Sequence, residues 1–199
     1  MTIAIVDYGA GNLASVKKAF DTLGAKAIVT GEPERVSKAE KVVVPGVGHF
    51  AATVALDVSG LREAIEGAIA RGVPALGICL GMQWMFASSS EALELDGLAI
   101  FAGECTRFPA EVKAPHVGWN QLTRMGGSRL LNGVPDASYV YFTHSYRAPV
   151  VQQTVATCEY GGLFSAVVEQ GNVFGVQFHP EKSGTVGKHL LENFCGLSC

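Results

Sequence analysis

The chain has 199 residues, enough to bury one sizeable core and hardly enough for two. With 48% apolar and 17% charged residues the balance is that of a globular protein, which excludes a disordered chain. The net charge is −3 and no run of Lys or Arg occurs, which argues against a nucleic-acid-binding surface, and no apolar run is long enough to span a membrane.

The elements alternate along the first half. Residues 2–7 read as a buried strand. Residues 12–23 carry apolar side chains at 13, 16, 19, 20 and 23, which is helical spacing, and Gly24 closes that helix. Residues 27–30 and 41–44 are strands, the second stopped by Pro45. Residues 61–70 form a helix, 73–78 a strand and 80–87 another helix. Strand, helix, strand, helix with short links predicts a parallel sheet covered on both faces. The second half changes character. Residues 97–108, 139–141, 154–159, 164–169 and 173–178 read as strands joined by turns such as Gly171-Asn172, partly antiparallel. A last helix covers 183–195. The expected fold is one three-layer α/β domain over residues 1–199, with a mixed, mostly parallel central sheet and helices on both faces.

The opening segment MTIAIVDYGAGN has no positive stretch leading an apolar core, so a cytoplasmic setting is expected. The five cysteines are odd in number and fit no disulfide framework, which predicts free thiols. Cys195 and Cys199 make a CxxxC pair, but no further ligands lie nearby in sequence, and neither metal nor cofactor is expected. Gly9-Ala10-Gly11 follows a strand, yet the third glycine of a dinucleotide fingerprint is replaced by Ala14 and no acidic residue clearly ends the second strand. It reads better as a loop facing another protein.

The most informative stretch is Gly77-Ile78-Cys79-Leu80-Gly81, where a buried strand meets a helix. This is the spacing of a sharp elbow carrying a nucleophile. Glycines on both sides let the tight turn form without Cβ collisions. The turn lifts the sulfur to the carboxyl end of the sheet, and the helix start beneath it favours negative charge. The Leu80 N–H is placed to donate to an oxyanion. A buried structural cysteine would fit the same five residues, so the reading needs a base. His179-Pro180-Glu181 supplies one at the end of a strand: Glu181 can accept from the imidazole and set its tautomer. Cys, His and a carboxylate in that order of contact perform acyl transfer. His49, His116, His144 and His189 lack a carboxylate so placed.

GICLGMQ followed far downstream by GVQFHPEKS resembles the class I glutamine amidotransferases. The resemblance implies that Cys79 attacks the side-chain amide of L-glutamine, that His179 moves protons and that Glu181 orients it, with a glutamyl thioester between ammonia and glutamate. Pro45-Gly46-Val47-Gly48 stands where that family has its oxyanion loop, which adds Val47 and Gly48 to Leu80 as oxyanion donors. Carried over position by position, Gly48, Gln83, Glu91, His144, Ser145 and Tyr146 border the glutamine pocket. Gln83 would meet the substrate's α-carboxylate or amino group, and Glu91 its α-ammonium.

The PGVG loop, Pro115-His116-Val117-Gly118-Trp119-Asn120, the DYGAGN start and Tyr141-Phe142-Thr143-His144-Ser145-Tyr146 resemble one branch of the family, which feeds ammonia to a (β/α)₈-barrel cyclase in histidine biosynthesis. The resemblance spans residues 3 to about 194. It implies a heterodimer, with Asn12, His116, Trp119, Asn120 and Lys182 near the interface. The valine of PGVG can turn either its N–H or its C=O into the pocket, so the isolated chain is expected to be a weak glutaminase that its partner activates. His49 follows PGVG where relatives often have a small residue, and its role stays open. A cysteine peptidase would not need the Gly-Trp segment, and a non-catalytic scaffold would have lost part of Cys79, His179 and Glu181.

Overall fold

β-branched runs and their alternating burial build the sheet. In the computed structural model, which describes residues 2–198, Ile3 and Ile5 enter one core cluster while Ala4 and Val6 enter another on the opposite face. In chain order the elements are β1 (Thr2–Val6), α1 (Leu13–Thr22), β2 (Lys26–Thr30), α2 (Pro33–Ser37), β3 (Lys41–Gly46), α3 (Val54–Val58), α4 (Leu61–Ala70), β4 (Ala75–Cys79), α5 (Leu80–Trp84), β5 (Phe86–Ser89), β6 (Phe101–Arg107), β7 (His116–Gln121), β8 (Thr123–Arg124), β9 (Tyr139–His144), β10 (Tyr146–Arg147), β11 (Thr154–Glu159), β12 (Leu163–Gln170), β13 (Val173–Val176) and α6 (Gly184–Gly196). Short 3₁₀ turns cover Phe50–Thr53 and Pro180–Lys182.

The main sheet runs β2-β1-β3-β4-β13-β12-β11-β8. Its first five strands are parallel, and β12, β11 and β8 continue it antiparallel. Helices cover both faces: Val16, Phe20, Leu190 and Phe194 of α1 and α6 pack on one, and Leu56, Leu61, Ile65 and Trp84 of α3, α4 and α5 on the other. β7 and β9 form a separate antiparallel ribbon, and β10-β6-β5 a small sheet. The parallel topology puts β4 and β13 side by side with Gly77 opposite Gly175 and Ile78 opposite Val176. The sequence places Cys79 and His179 a hundred residues apart; this pairing brings their strand ends together.

Two expectations are corrected. β3 does not stop at Pro45 but runs to Gly46, because β1 pairs with it only as far as Val43 and the missing N–H of Pro45 costs no ladder bond on that side. The helix expected over 80–87 ends at Trp84, and residues 86–89 turn into β5 to pair with β6. β7 was not foreseen, nor were the helices α2 and α3. Cys199, the second half of the CxxxC pair, lies outside the described residues; Cys79, Cys105, Cys158 and Cys195 are free thiols. No helix among the described residues is long and apolar enough to cross a membrane.

Candidate active site

The elbow after β4 is under strain. Cys79 has φ 54° and ψ −106°, a conformation that an L residue rarely holds. Its flanking glycines are required: a Cβ at Gly77 would lie 2.7 Å from the Gly81 carbonyl oxygen, and one at Gly81 would overlap the Val44 carbonyl. The sulfur is nearly buried and points its S–H toward the Thr143 carbonyl at 3.9 Å. α5 has only five residues, so its dipole gives less support to an anion than the longer helix expected.

Support comes instead from the turn after β13. His179 Nδ1 and Glu181 Oε1 are 2.8 Å apart, with both side chains buried. The 3₁₀ turn Pro180–Lys182 brings the carboxylate back under the ring. Nδ1–H donates to the carboxylate, which leaves Nε2 as the acceptor nitrogen. Nε2 is buried and has no partner at hydrogen-bond geometry; the group close enough to act on it is Cys79. Burial disfavours the imidazolium, but the sulfur and Glu181 outweigh it and push His179 up to about 10. Among the described residues no cluster of three or more His, Cys, Asp or Glu could hold a metal ion.

A cavity of about 250 Å³ opens over Cys79, sized for a small polar molecule. Gly48, Leu80, Gln83, Glu91, His144, Ser145 and Tyr146 line it, together with Pro115 and Thr143, which the sequence did not single out. Roomier clefts lie away from the sulfur, one of about 650 Å³ beside Arg129 and one of about 450 Å³ between α1 and α6 behind Glu181.

Individual roles sharpen. Gln83 is 4% exposed, and its amide hydrogens go to the Tyr146 carbonyl at 2.7 Å and to Gln177 Oε1 at 3.1 Å. Only its carbonyl is left for a ligand, which fits an ammonium rather than a carboxylate. Glu91 accepts from the Phe50 N–H at 2.7 Å through one oxygen, fixing the turn that follows PGVG, and keeps the other. Val47 is half-exposed and Gly48 has φ 110° with open space around it. His49 accepts from the Ala51 N–H at 3.1 Å and caps the 3₁₀ turn, which assigns it a local structural role at the surface.

The sequence missed two buried groups beside the sulfur. Gln177 Nε2 lies 3.7 Å from Cys79 Sγ. The Tyr8 hydroxyl is buried without a partner against Gly46, and burial together with the charge of Cys79 raises its pKa well above the ordinary value. An unremarkable Gln at a strand end and a Tyr in a glycine loop carry no sequence signal for such roles.

Of the residues expected at an interface, Trp119 is 55% exposed, Asn12 and Lys182 are exposed, and Asn120 is half-buried. His116 is the exception. It is 4% exposed, stacked on Tyr160 at 4.0 Å and on Phe142 at 4.9 Å, so it supports that face from beneath and does not present itself to a partner. Asn12 caps α1 through the Ser15 N–H.

A strained cysteine at a strand-to-helix elbow, a buried His–Glu pair on the neighbouring strand end and a small polar cavity over the sulfur have the arrangement that acyl transfer on an α/β sheet requires. Residues 4–196 match the family model of the class-I glutamine amidotransferases, and the chain belongs to that family. It is 47% identical over 195 residues to the imidazole glycerol phosphate synthase subunit HisH of Moorella thermoacetica, covering 96% of this chain and 93% of that one. It is 46% identical to the HisH subunit of Methanothermobacter thermautotrophicus, covering 96% of each. The fold is similar to that of PurLQS from Thermotoga maritima, with a TM-score of 0.76 at 19% identity over 98% of this chain and 97% of that one.

Proposed function

We propose that this chain is the glutaminase subunit of an imidazole glycerol phosphate synthase, acting as a single cytoplasmic domain. It hydrolyses L-glutamine and passes the ammonia to a (β/α)₈-barrel cyclase subunit, which makes imidazole glycerol phosphate and AICAR in histidine biosynthesis. The observation that carries the chemistry is Cys79, strained at its elbow, with the buried His179–Glu181 pair against it.

The Cys79 thiol gives its proton to His179 Nε2, and the sulfur attacks the amide carbon of glutamine. The oxyanion is held by the Leu80 N–H and by the N–H groups of Val47 and Gly48 when that loop turns them inward. The imidazolium then protonates the amide nitrogen, the C–N bond breaks and ammonia leaves. Bonding of the sulfur to carbon removes the charge and hydrogen bond that raised His179, so the ring becomes a stronger acid as the amine departs. A water, deprotonated by His179, then attacks the thioester; the C–S bond breaks, glutamate is freed and the thiol is restored. Gln83 and Glu91 bind the substrate's α-ammonium, with His144, Ser145 and Tyr146 closing the pocket.

Free ammonia protonates in water and ceases to be a nucleophile, so its acceptor must sit on the other side of a sealed contact. The exposed edge of β7 with Trp119, flanked by Lys182 over the Tyr141 ring at 5.8 Å, is the surface for that contact, and exposed Asn12 is assigned to it with them. The test is reconstitution. Mixed with the barrel cyclase and its phosphoribosyl substrate, the chain is expected to support glutamine-dependent product formation and to release glutamate far faster than alone. Equal glutamate release with and without the loaded cyclase would reject the partner-activated reading.

A further inference from the structure

We propose that Gln177 is a further catalytic residue: its side-chain amide donates an N–H to the Cys79 sulfur and, with His179, holds the sulfur as the thiolate. The inference deepens the proposed glutaminase function and rests on it for the role of Cys79.

Gln177 is 0% exposed and follows β13, two residues before His179. Its Nε2 stands 3.7 Å from Sγ, within reach of an N–H···S bond. An amide can present oxygen or nitrogen, so the chemistry depends on which way it is held. The Tyr146 carbonyl fixes the answer. It can only accept, so the Gln83 atom 2.7 Å away is the nitrogen. The second hydrogen of that nitrogen points at Gln177, 3.1 Å away, whose facing atom must therefore be the oxygen. The remaining amide atom of Gln177, the one against the sulfur, is then a donor.

The same carbonyl ends a second chain. His144 Nδ1 donates to it at 2.9 Å, which leaves His144 Nε2 to accept from His116 Nδ1 at 3.3 Å. His116 Nε2 in turn accepts from Asn120 Nδ2 at 3.4 Å, and Asn120 also donates to the Glu159 carbonyl at 3.0 Å. Carbonyls at both ends force every donor in the network, so the Gln177 amide has no alternative orientation that keeps these bonds.

The sulfur thus sits between two opposed groups. The Thr143 carbonyl accepts from S–H and favours the thiol; the Gln177 N–H donates to the sulfur and favours the anion. Gln177 gives up no proton: the thiol proton passes to His179 Nε2, and the amide only bonds the lone pair left behind. The titratable groups around the sulfur are His179 with Glu181 behind it, Tyr8 from the loop after β1, and His144 from β9 facing His179. None of them is a direct partner of the Gln177 side chain, which bonds Gln83 and Cys79.

The test is alkylation of Cys79 by iodoacetamide in the full chain, read from the mass of the Cys79 peptide. In Gln177→Leu the rate at about pH 7 is expected to fall about tenfold, the weight of one charge-assisted hydrogen bond, and to match the unaltered chain at about pH 10, where the solvent itself takes the Cys79 proton. An unchanged rate at both pH values, or an equal loss at both, overturns the proposal. Should the leucine variant fail to fold, the unaltered chain carries the test: the Gln177 side-chain amide protons are expected to shift in NMR spectra along the same pH curve as the alkylation rate, and static signals overturn the proposal. Neither measurement uses glutamine turnover, so a negative result leaves the glutaminase reading standing.

Discussion

At His179 two opposing effects set where the proton rests. Burial works against the imidazolium, and the Cys79 sulfur and the Glu181 carboxylate work for it and prevail. Glu181→Gln removes the charge and leaves an amide that can still accept from Nδ1–H, so the ring keeps its place and loses its basicity; kcat for glutamate release is expected to fall by about 10²–10⁴-fold with little change in KM. His144 and His116 behave in the opposite sense. Burial lowers them to about 3 and about 4 from the ordinary 6.5. The unfolded chain therefore binds protons that the folded one refuses. Their contribution to stability is full above pH 6.5 and is lost as pH falls toward 4 and then 3. Calorimetric Tm is expected to drop on acidification through that window, and less steeply in His116→Phe, which keeps the stack with Tyr160 and cannot titrate. The His179–Glu181 pair was legible in the sequence because a carboxylate two residues away at a strand end has few other uses. Gln177 and Tyr8 were not, because their roles arise from neighbours 98 and 71 residues away that only the folded sheet supplies.

At the scale of elements, the elbow is held by what glycine lacks. Gly81→Ala would drive a Cβ into the Val44 carbonyl, on a backbone already strained at Cys79, and a loss of about 3 kcal/mol or more in denaturant unfolding is expected. Gly48→Ala meets no atom but forces an L residue to φ 110°, so its cost is conformational, about 1–3 kcal/mol, and falls on the PGVG loop. The parallel strands and the helices α1, α4 and α6 were readable because each is an apolar run or stripe of its own. α5 and β5 were not: residues 80–87 are apolar enough for one helix, and what divides them is pairing of Phe86–Ser89 with β6, a contact that local pattern does not encode. β7 was missed for a related reason. His116–Gln121 alternates a buried histidine with exposed valine and tryptophan, the reverse of the apolar-inside pattern that marks a strand.

At the scale of the molecule, that reversal is informative. An exposed tryptophan on a strand whose histidine is buried beneath it suits a surface kept for another protein. Trp119→Ala is expected to leave Tm within about 1 °C, since the ring is more than half exposed, and to weaken binding to the barrel cyclase by about tenfold or more in calorimetric titration. The central claim is that Cys79 is the nucleophile of a glutaminase. Its most direct measurement is glutamate release from L-glutamine by the chain and its Cys79→Ala variant, each with the loaded cyclase. The account predicts that the variant falls to background while still binding the cyclase and still supporting product formation from added ammonia. Full glutamate release by Cys79→Ala would contradict it.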